Sequence, residues 1–307
     1  ITDRENITVL SGSKEVTRKK YNINTIDRYN VFSIIAGLMK SDALVFGGGS
    51  LLQDITSKRS IHYYLFLIRL AKIMNNKVIM LSQGIGPIVS ENSKNAVKNT
   101  LKHIDYMTVR DKYSKEFLEN LGMDKNKIFL STDPVINLRA GENHLTVHNG
   151  KKKVCFSLRN WKDANVSQKI STLTERLIKN DIECCFIPFY YNEDLELINE
   201  VEKNIGDKAV YYKERLTTND AFDIIRDMDV MVGVRLHSLI FAAAANVPFA
   251  AVSYDHKVDH FVNSLNMKVV CSIDNIDTDA LYDEIMDKIS NEGVEKMKLS
   301  EGVDELR

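Results

Sequence analysis

Short, almost wholly apolar runs alternate along this chain with longer segments whose apolar positions recur every three or four residues. In the first half the runs are ITVLS (7–11), ALVFG (43–47), KVIMLSQG (77–84), YMTVR (106–110) and KIFLST (127–132). Between them lie VFSIIAGLMK (31–40), HYYLFLIRLAKIMNN (62–76), SENSKNAVKNTLKHI (90–104) and SKEFLENLG (114–122), each with helical spacing. The runs do not alternate apolar with polar, so they predict parallel strands covered by helices on both faces. Strand and helix in strict turn predict a doubly wound α/β domain.

The stretch LRAGENHLTVHNGKKK (138–153) is polar and breaks this rhythm, and beyond it the pattern restarts. Strands are predicted at KVCFSLR (153–159), IECCFIPF (182–189), AVYY (209–212), VMVGV (230–234), FAAVSY (249–254) and KVVCSI (268–273), with a helical pattern after each. The reading is therefore α/β, two Rossmann-like domains of residues 1–145 and 151–307 facing across a cleft. Such sheets bind ligands at the carboxyl ends of their strands.

Composition narrows the function classes. Hydrophobic residues make up 44% and charged residues 27% of 307 positions, which describes a globular chain. The net charge of −1 and scattered basic residues argue against a nucleic-acid partner. The clusters Arg18-Lys19-Lys20 and Lys151-Lys152-Lys153 read as solvated loops or strand edges. Cys155, Cys184, Cys185 and Cys271 sit in strand-like surroundings without CxxC spacing, as expected of reduced core thiols in a cytoplasmic protein. No apolar run reaches the roughly 20 residues of a membrane span, and no signal peptide is visible.

Five strand-to-helix junctions carry candidate chemistry. Gly47-Gly48-Gly49-Ser50 follows ALVF, and its glycines either make a tight turn or let backbone amides approach a ligand. Ser82-Gln83-Gly84-Ile85-Gly86-Pro87 ends the next strand and leaves the same two options open. Arg110 closes YMTVR, and its forked guanidinium suits a carboxylate or phosphate. Arg159 stands beside Trp161, the sole tryptophan, either as a stacking pair or as a lip of the site. Arg235 and His237 precede the apolar helix Ser238–Ala245, whose amino end favours an anion, and Lys257 emerges after the adjacent strand.

With these residues in place, the chain resembles the polysaccharide pyruvyl transferase family, in particular its CsaB-like branch. The matching motifs are FGGGSLLQDITS (46–57), QGIGP (83–87), TVRD followed by Ser114 (108–114), TDPV (132–135), FSLRNW (156–161), VGVRLHSLIFAAAANVP (232–248) and SYDHKV (253–258). The resemblance implies a glycosyltransferase-B-like fold and transfer of pyruvyl from phosphoenolpyruvate to a sugar as a cyclic ketal. It implies a donor site at Arg110, Arg235, His237 and Lys257, with Arg159 a weaker fifth, and an acceptor side at Gly47, Gly48, Gly49, Ser50, Gln83 and Gly84. Family members usually open with a strand and a Gly-Asn-x-Gly-Asp loop, which is not found before ITVLS, and His256 stands where Pro is usual.

His237 is the expected general acid/base, because imidazole titrates near neutrality. Arg235 and Lys257 are expected on the phosphate, and Arg110 on the carboxylate or phosphate. The donor is a co-substrate; no cofactor or metal is expected. In the CsaB-like branch the acceptor is a lipid-diphosphate-linked disaccharide with N-acetylmannosamine, which implies peripheral contact with the inner membrane face. A glycosyltransferase of the same fold with a nucleotide-sugar donor would want a carboxylate near the end of the donor domain to hold the ribose, where Asp255 and Asp259 stand and neither is compelling. A non-catalytic anionic-sugar-binding protein could use the same Arg/His/Lys cluster.

Overall fold

The structure is a computed structural model that describes residues 3–55, 57–139, 150–161 and 164–306. It divides into two compact units, Ile1–Ser131 and Thr132–Arg307. Most of the expected linker, residues 140–149, lies outside the described residues. Residues just after Ser131 already belong with the second unit, since Ile136 is fully buried in a cluster with Leu239 and Ile240.

The first unit holds β1 (Thr8–Ser11), α1 (Lys14–Tyr21), β2 (Asn24–Asp27), α2 (Val31–Leu38), β3 (Ala43–Phe46), β4 (Gly49–Leu52), α3 (Lys58–Ile73), β5 (Lys77–Ile85), α4 (Glu91–Leu101), β6 (Tyr106–Val109), α5 (Lys112–Asn120) and β7 (Ile128–Leu130). β1 and β2 pair in parallel only with each other, whereas β3-β5-β6-β7 form a second parallel sheet, with β4 also on β5. Three elements differ from expectation. Arg18-Lys19-Lys20 lie on the last turn of α1 rather than in a loop, where cations suit the carbonyl end of a helix. β2 is polar at its ends and gives no apolar run. Ser50 lies in a short strand, not a loop, because Gly49 at φ +125° turns the chain back alongside Gln83.

In the second unit β8 (Lys153–Ser157), α6 (Val166–Lys179), β9 (Glu183–Phe186), α7 (Tyr191–Ile205), β10 (Val210–Tyr211), α8 (Thr218–Arg226), β11 (Val230–Gly233), α9 (Leu236–Ala244), β12 (Phe249–Ser253), α10 (His256–Ser264), β13 (Cys271–Ser272) and α11 (Thr278–Ser290) alternate, and α12 (Glu292–Leu306) closes the chain. The parallel strand order is β10-β9-β8-β11-β12-β13. Successive side chains of a strand enter opposite faces, and the two cores follow that rule. Val154, Phe156 and Cys184 join the layer under α6, α7 and α11, while Cys155, Cys185 and Met231 join the layer under α8, α9, α10 and α12. All four cysteines are free, and burial pushes the thiols of Cys155, Cys184 and Cys271 upward in pKa, which keeps them protonated and unreactive. Lys151 and Lys152 are not merely solvated: the first pairs with Asp181 and the second with Asp229 and Glu292.

Candidate active site

In the first unit the expected acceptor residues and Arg110 form one cluster at the carboxyl ends of β3, β5 and β6, where β4 begins. The pairing of Gly49 with Gln83 places the glycine run beside β5, and the Gln83 side chain donates to the carbonyls of Gly47 and Leu81. Arg110 donates its backbone N–H to the Gln83 carbonyl and a guanidinium N–H to Ser50 Oγ at 2.9 Å. Asp111, which caps α5 through Ser114, stands 3.8 Å from Arg110 Nε. Gly84 is required by this arrangement. A Cβ there would lie 2.7 Å from Ser50 Oγ and 2.9 Å from Arg110 Nε, so only hydrogen leaves room for the arginine to cross the strand. Asp54, not singled out by sequence reasoning, accepts from the N–H groups of Val89 and Ser90 and fixes the loop after the QGIGP motif.

In the second unit three adjacent strands deliver the expected cations to one rim. Arg159 follows β8, Arg235 follows β11 and Lys257 follows β12. Ser157 is in register with Gly233, and Gly233 with Ala251, so these strand ends are nearly level. A side chain at Gly233 would strike Leu239 Cδ2 at 2.4 Å, so this glycine lets α9 start directly against the strand.

The cations then diverge. Arg235 is drawn toward α7: its guanidinium bonds both Asp194 and Glu193 and lies 5.4 Å over the Tyr190 ring. α7 follows β9, whereas Lys257 follows β12 on the other side of β11. Asp194 is fully buried and also accepts from the N–H groups of Phe189 and Tyr190. Burial alone would pull the Arg235 pKa down, but Asp194 and Glu193 outweigh it and hold the guanidinium above its ordinary value. Arg159 leans the opposite way, 4.4 Å from the Tyr254 ring and 5.4 Å from that of Trp161. Trp161 is part of this stack, and its indole N–H donates to Asp274 at 2.7 Å. Among the described residues, neither Arg159 nor Lys257 forms an ion pair. The Lys257 N–H is capped by Asp255, which fixes the start of α10.

His237 lies in the first turn of α9 with its side chain about half exposed, at 52%. Its Nε2 stands 3.8 Å from Asp133 Oδ2, a carboxylate from the TDPV motif. Asp133 and Asp194, like Asp54, are residues that sequence reasoning passed over. Asp133 was visible as an Asp-Pro step after a strand; Asp194 gave no signal beyond an acidic first helical turn. Arg235 provides no side-chain cap for α9. A helix end of this kind attracts an anion. Among the described residues, no group of three or more His, Cys, Asp or Glu could hold a metal ion, and no helix is long and apolar enough to cross a membrane.

Two parallel α/β units with cation-bearing strand ends define a glycosyltransferase-B-like class, and solved structures share the fold. UDP-N-acetylglucosamine 2-epimerase from Methanocaldococcus jannaschii superposes with a TM-score of 0.66 at 13% identity, over 93% of this chain and 85% of that one. The S. aureus MnaA–UDP structure gives 0.64 at 14% identity over 95% and 82%. A glycosyltransferase from Rickettsia africae gives 0.61 at 15% identity over 97% and 85%. The sequence is more specific: residues 3–256 match the model of the polysaccharide pyruvyl transferase family, and the chain belongs to that family. Amylovoran biosynthesis protein AmsJ from Erwinia amylovora is 21% identical over 250 residues, 72% of this chain. The chain spans 58% of that relative's length.

Proposed function

We propose that the protein transfers a pyruvyl unit from phosphoenolpyruvate to a sugar of a cell-wall polysaccharide precursor and closes it as a cyclic ketal. The family match over residues 3–256 carries this reading. The donor is a small molecule with a phosphate and a carboxylate, and the second unit offers Arg159, Lys257 and the uncapped amino end of α9 to hold them. Arg235, neutralised by two carboxylates, serves better to fix the β11–α9 turn than to grip phosphate alone.

Protonation of the donor's methylene carbon generates an oxocarbenium-like C2, which a sugar hydroxyl attacks while losing its proton. Inorganic phosphate leaves, and a second hydroxyl closes the ring. His237, exposed and at the helix end, would move the proton. The acceptor would be a lipid-diphosphate-linked disaccharide with N-acetylmannosamine, met at the inner face of the membrane and held through Ser50, Gln83 and Gly84. Of the two carboxylates a ribose-binding glycosyltransferase site would draw on, Asp255 and Asp259, the first caps α10 through the Lys257 N–H.

Incubation with phosphoenolpyruvate and an N-acetylmannosamine-bearing acceptor should release one inorganic phosphate per product heavier by a pyruvyl ketal. His237→Ala should cut this rate roughly 100- to 10,000-fold while leaving the unfolding temperature unchanged. A product formed only from a nucleotide sugar, or a His237→Ala protein at wild-type rate, would overturn the assignment.

A further inference from the structure

A group that accepts and returns protons works best when its ring is oriented and its transient positive charge is met by a fixed negative one. Asp133 satisfies the structural conditions for that role. Its Oδ1 accepts from the Val135 N–H at 3.1 Å, which sets the plane of the carboxylate. The 3-10 turn Pro134–Asn137 that follows is anchored on α9 itself, because Ile136 is fully buried against Leu239 and Ile240. The carboxylate is therefore tied to the helix that carries His237. Its second oxygen, Oδ2, faces the imidazole Nε2 at 3.8 Å, an ion-pair distance too long for a direct hydrogen bond. The carboxylate is nearly buried, at 10% side-chain exposure, whereas the imidazole is open on its outer side. One edge of the ring thus meets a charge held in low dielectric.

We propose that Asp133 is a positioning residue for His237, orienting the imidazole and supplying the counter-charge when the ring is protonated during transfer. The proposal rests on His237 being the proton-transfer group. In this step the proton moves from the attacking hydroxyl to the ring and onward, with the Asp133 carboxylate as the counter-charge.

Asp133→Asn separates this role from a purely structural one, because the amide oxygen can still cap Val135 while the charge is gone. In steady-state assays with phosphoenolpyruvate and the sugar acceptor, kcat should fall roughly 10- to 100-fold, a fraction of what general acid–base groups contribute. The KM for phosphoenolpyruvate and the unfolding temperature should both stay near wild type. Asp133→Glu, which restores the charge, should recover part of the loss. The decisive measurement is the pair: if Asp133 acts only through His237, the residual rate of Asp133→Asn/His237→Ala equals that of His237→Ala. Losses that multiply in the double variant, or an Asp133→Asn enzyme at wild-type kcat beside an impaired His237→Ala, overturn the proposal and leave the role of His237 standing. A fully active His237→Ala enzyme would instead remove the reading beneath it.

Discussion

The two units are written in the same pattern of apolar runs, yet their sheets are covered differently. In the second unit the residues of β8, β9 and β11 divide between two buried layers, with helices on both faces. In the first unit a single buried layer lies beneath α2, α3, α4 and α5. On its opposite face Val45 is 52% exposed, Leu81 40%, Tyr106 45% and Phe129 48%. The register confirms that these belong to one face, since Val45 aligns with Ile79 and Ile79 with Tyr106, while Phe129 aligns with Thr108. An apolar run therefore records that a strand is in a parallel sheet, but not that both of its faces are buried.

The largest expected effect tests that contrast directly. Phe156 is fully buried and stacks on Phe186 at 5.0 Å, so Phe156→Ala should cost about 3–5 kcal/mol. Phe129 stacks on Tyr106 at 5.4 Å but keeps about half its surface in water, and Phe129→Ala should cost about 1 kcal/mol. Urea unfolding of both variants compares them. Equal losses would mean that the first unit's open face is covered in solution.

The two arginine sites differ in the same spirit. Arg235 is held by a fully buried carboxylate, and Asp194→Ala would leave its guanidinium without that partner and two backbone N–H groups unbonded, at about 3 kcal/mol or more. Arg110 is held by a hydroxyl and by the space above Gly84. Gly84→Ala should therefore displace Arg110 and cut transfer at least about tenfold, the loss of one charge-assisted contact. Gly47→Ala, where an added Cβ meets nothing within 4 Å, should leave the rate unchanged. If both glycine variants behave alike, the contact between Arg110 and Ser50 has no part in the reaction.

Much of this was legible in the chain. The doubly wound pattern, the strand ends and the residues gathered there follow from periodicity and from where each run stops. Less legible was whatever depends on a partner distant in sequence. Nothing near Arg235 announces that Asp194, on a helix two strands away in the sheet, will claim its guanidinium. Likewise His237 and Asp133 are separated by a whole domain of sequence and meet only because the Pro134 turn packs on α9. β2 escaped notice because only Ile26 among its four residues is aliphatic, and α12 because its apolar positions are sparse.

The smallest expected effect concerns pH, and it lies on the second unit at the ends remote from the cations. Glu292 is held at about 2, below its ordinary 4.5, first by its hydrogen bond to Lys152 and then by that to Lys296. A carboxylate with a depressed folded-state pKa stabilises the fold while it is ionised there and ionised in the unfolded chain, that is, above about 4.5. As pH falls from about 4.5 toward 2, the unfolded chain takes up the proton first and the contribution drains away. Lys152 also bonds Asp229, which accepts from the Lys153 N–H at the start of β8, so this small network ties α12 to the edge from which the sheet begins. Glu292→Gln should lower the unfolding temperature modestly at pH 7 and flatten its decline between pH 4.5 and 2. A variant with an unchanged acid slope would show that the pair is screened by solvent and that the other contacts of α12, among them Leu299, Val303 and the Lys288–Glu295 ion pair, hold it to the second unit.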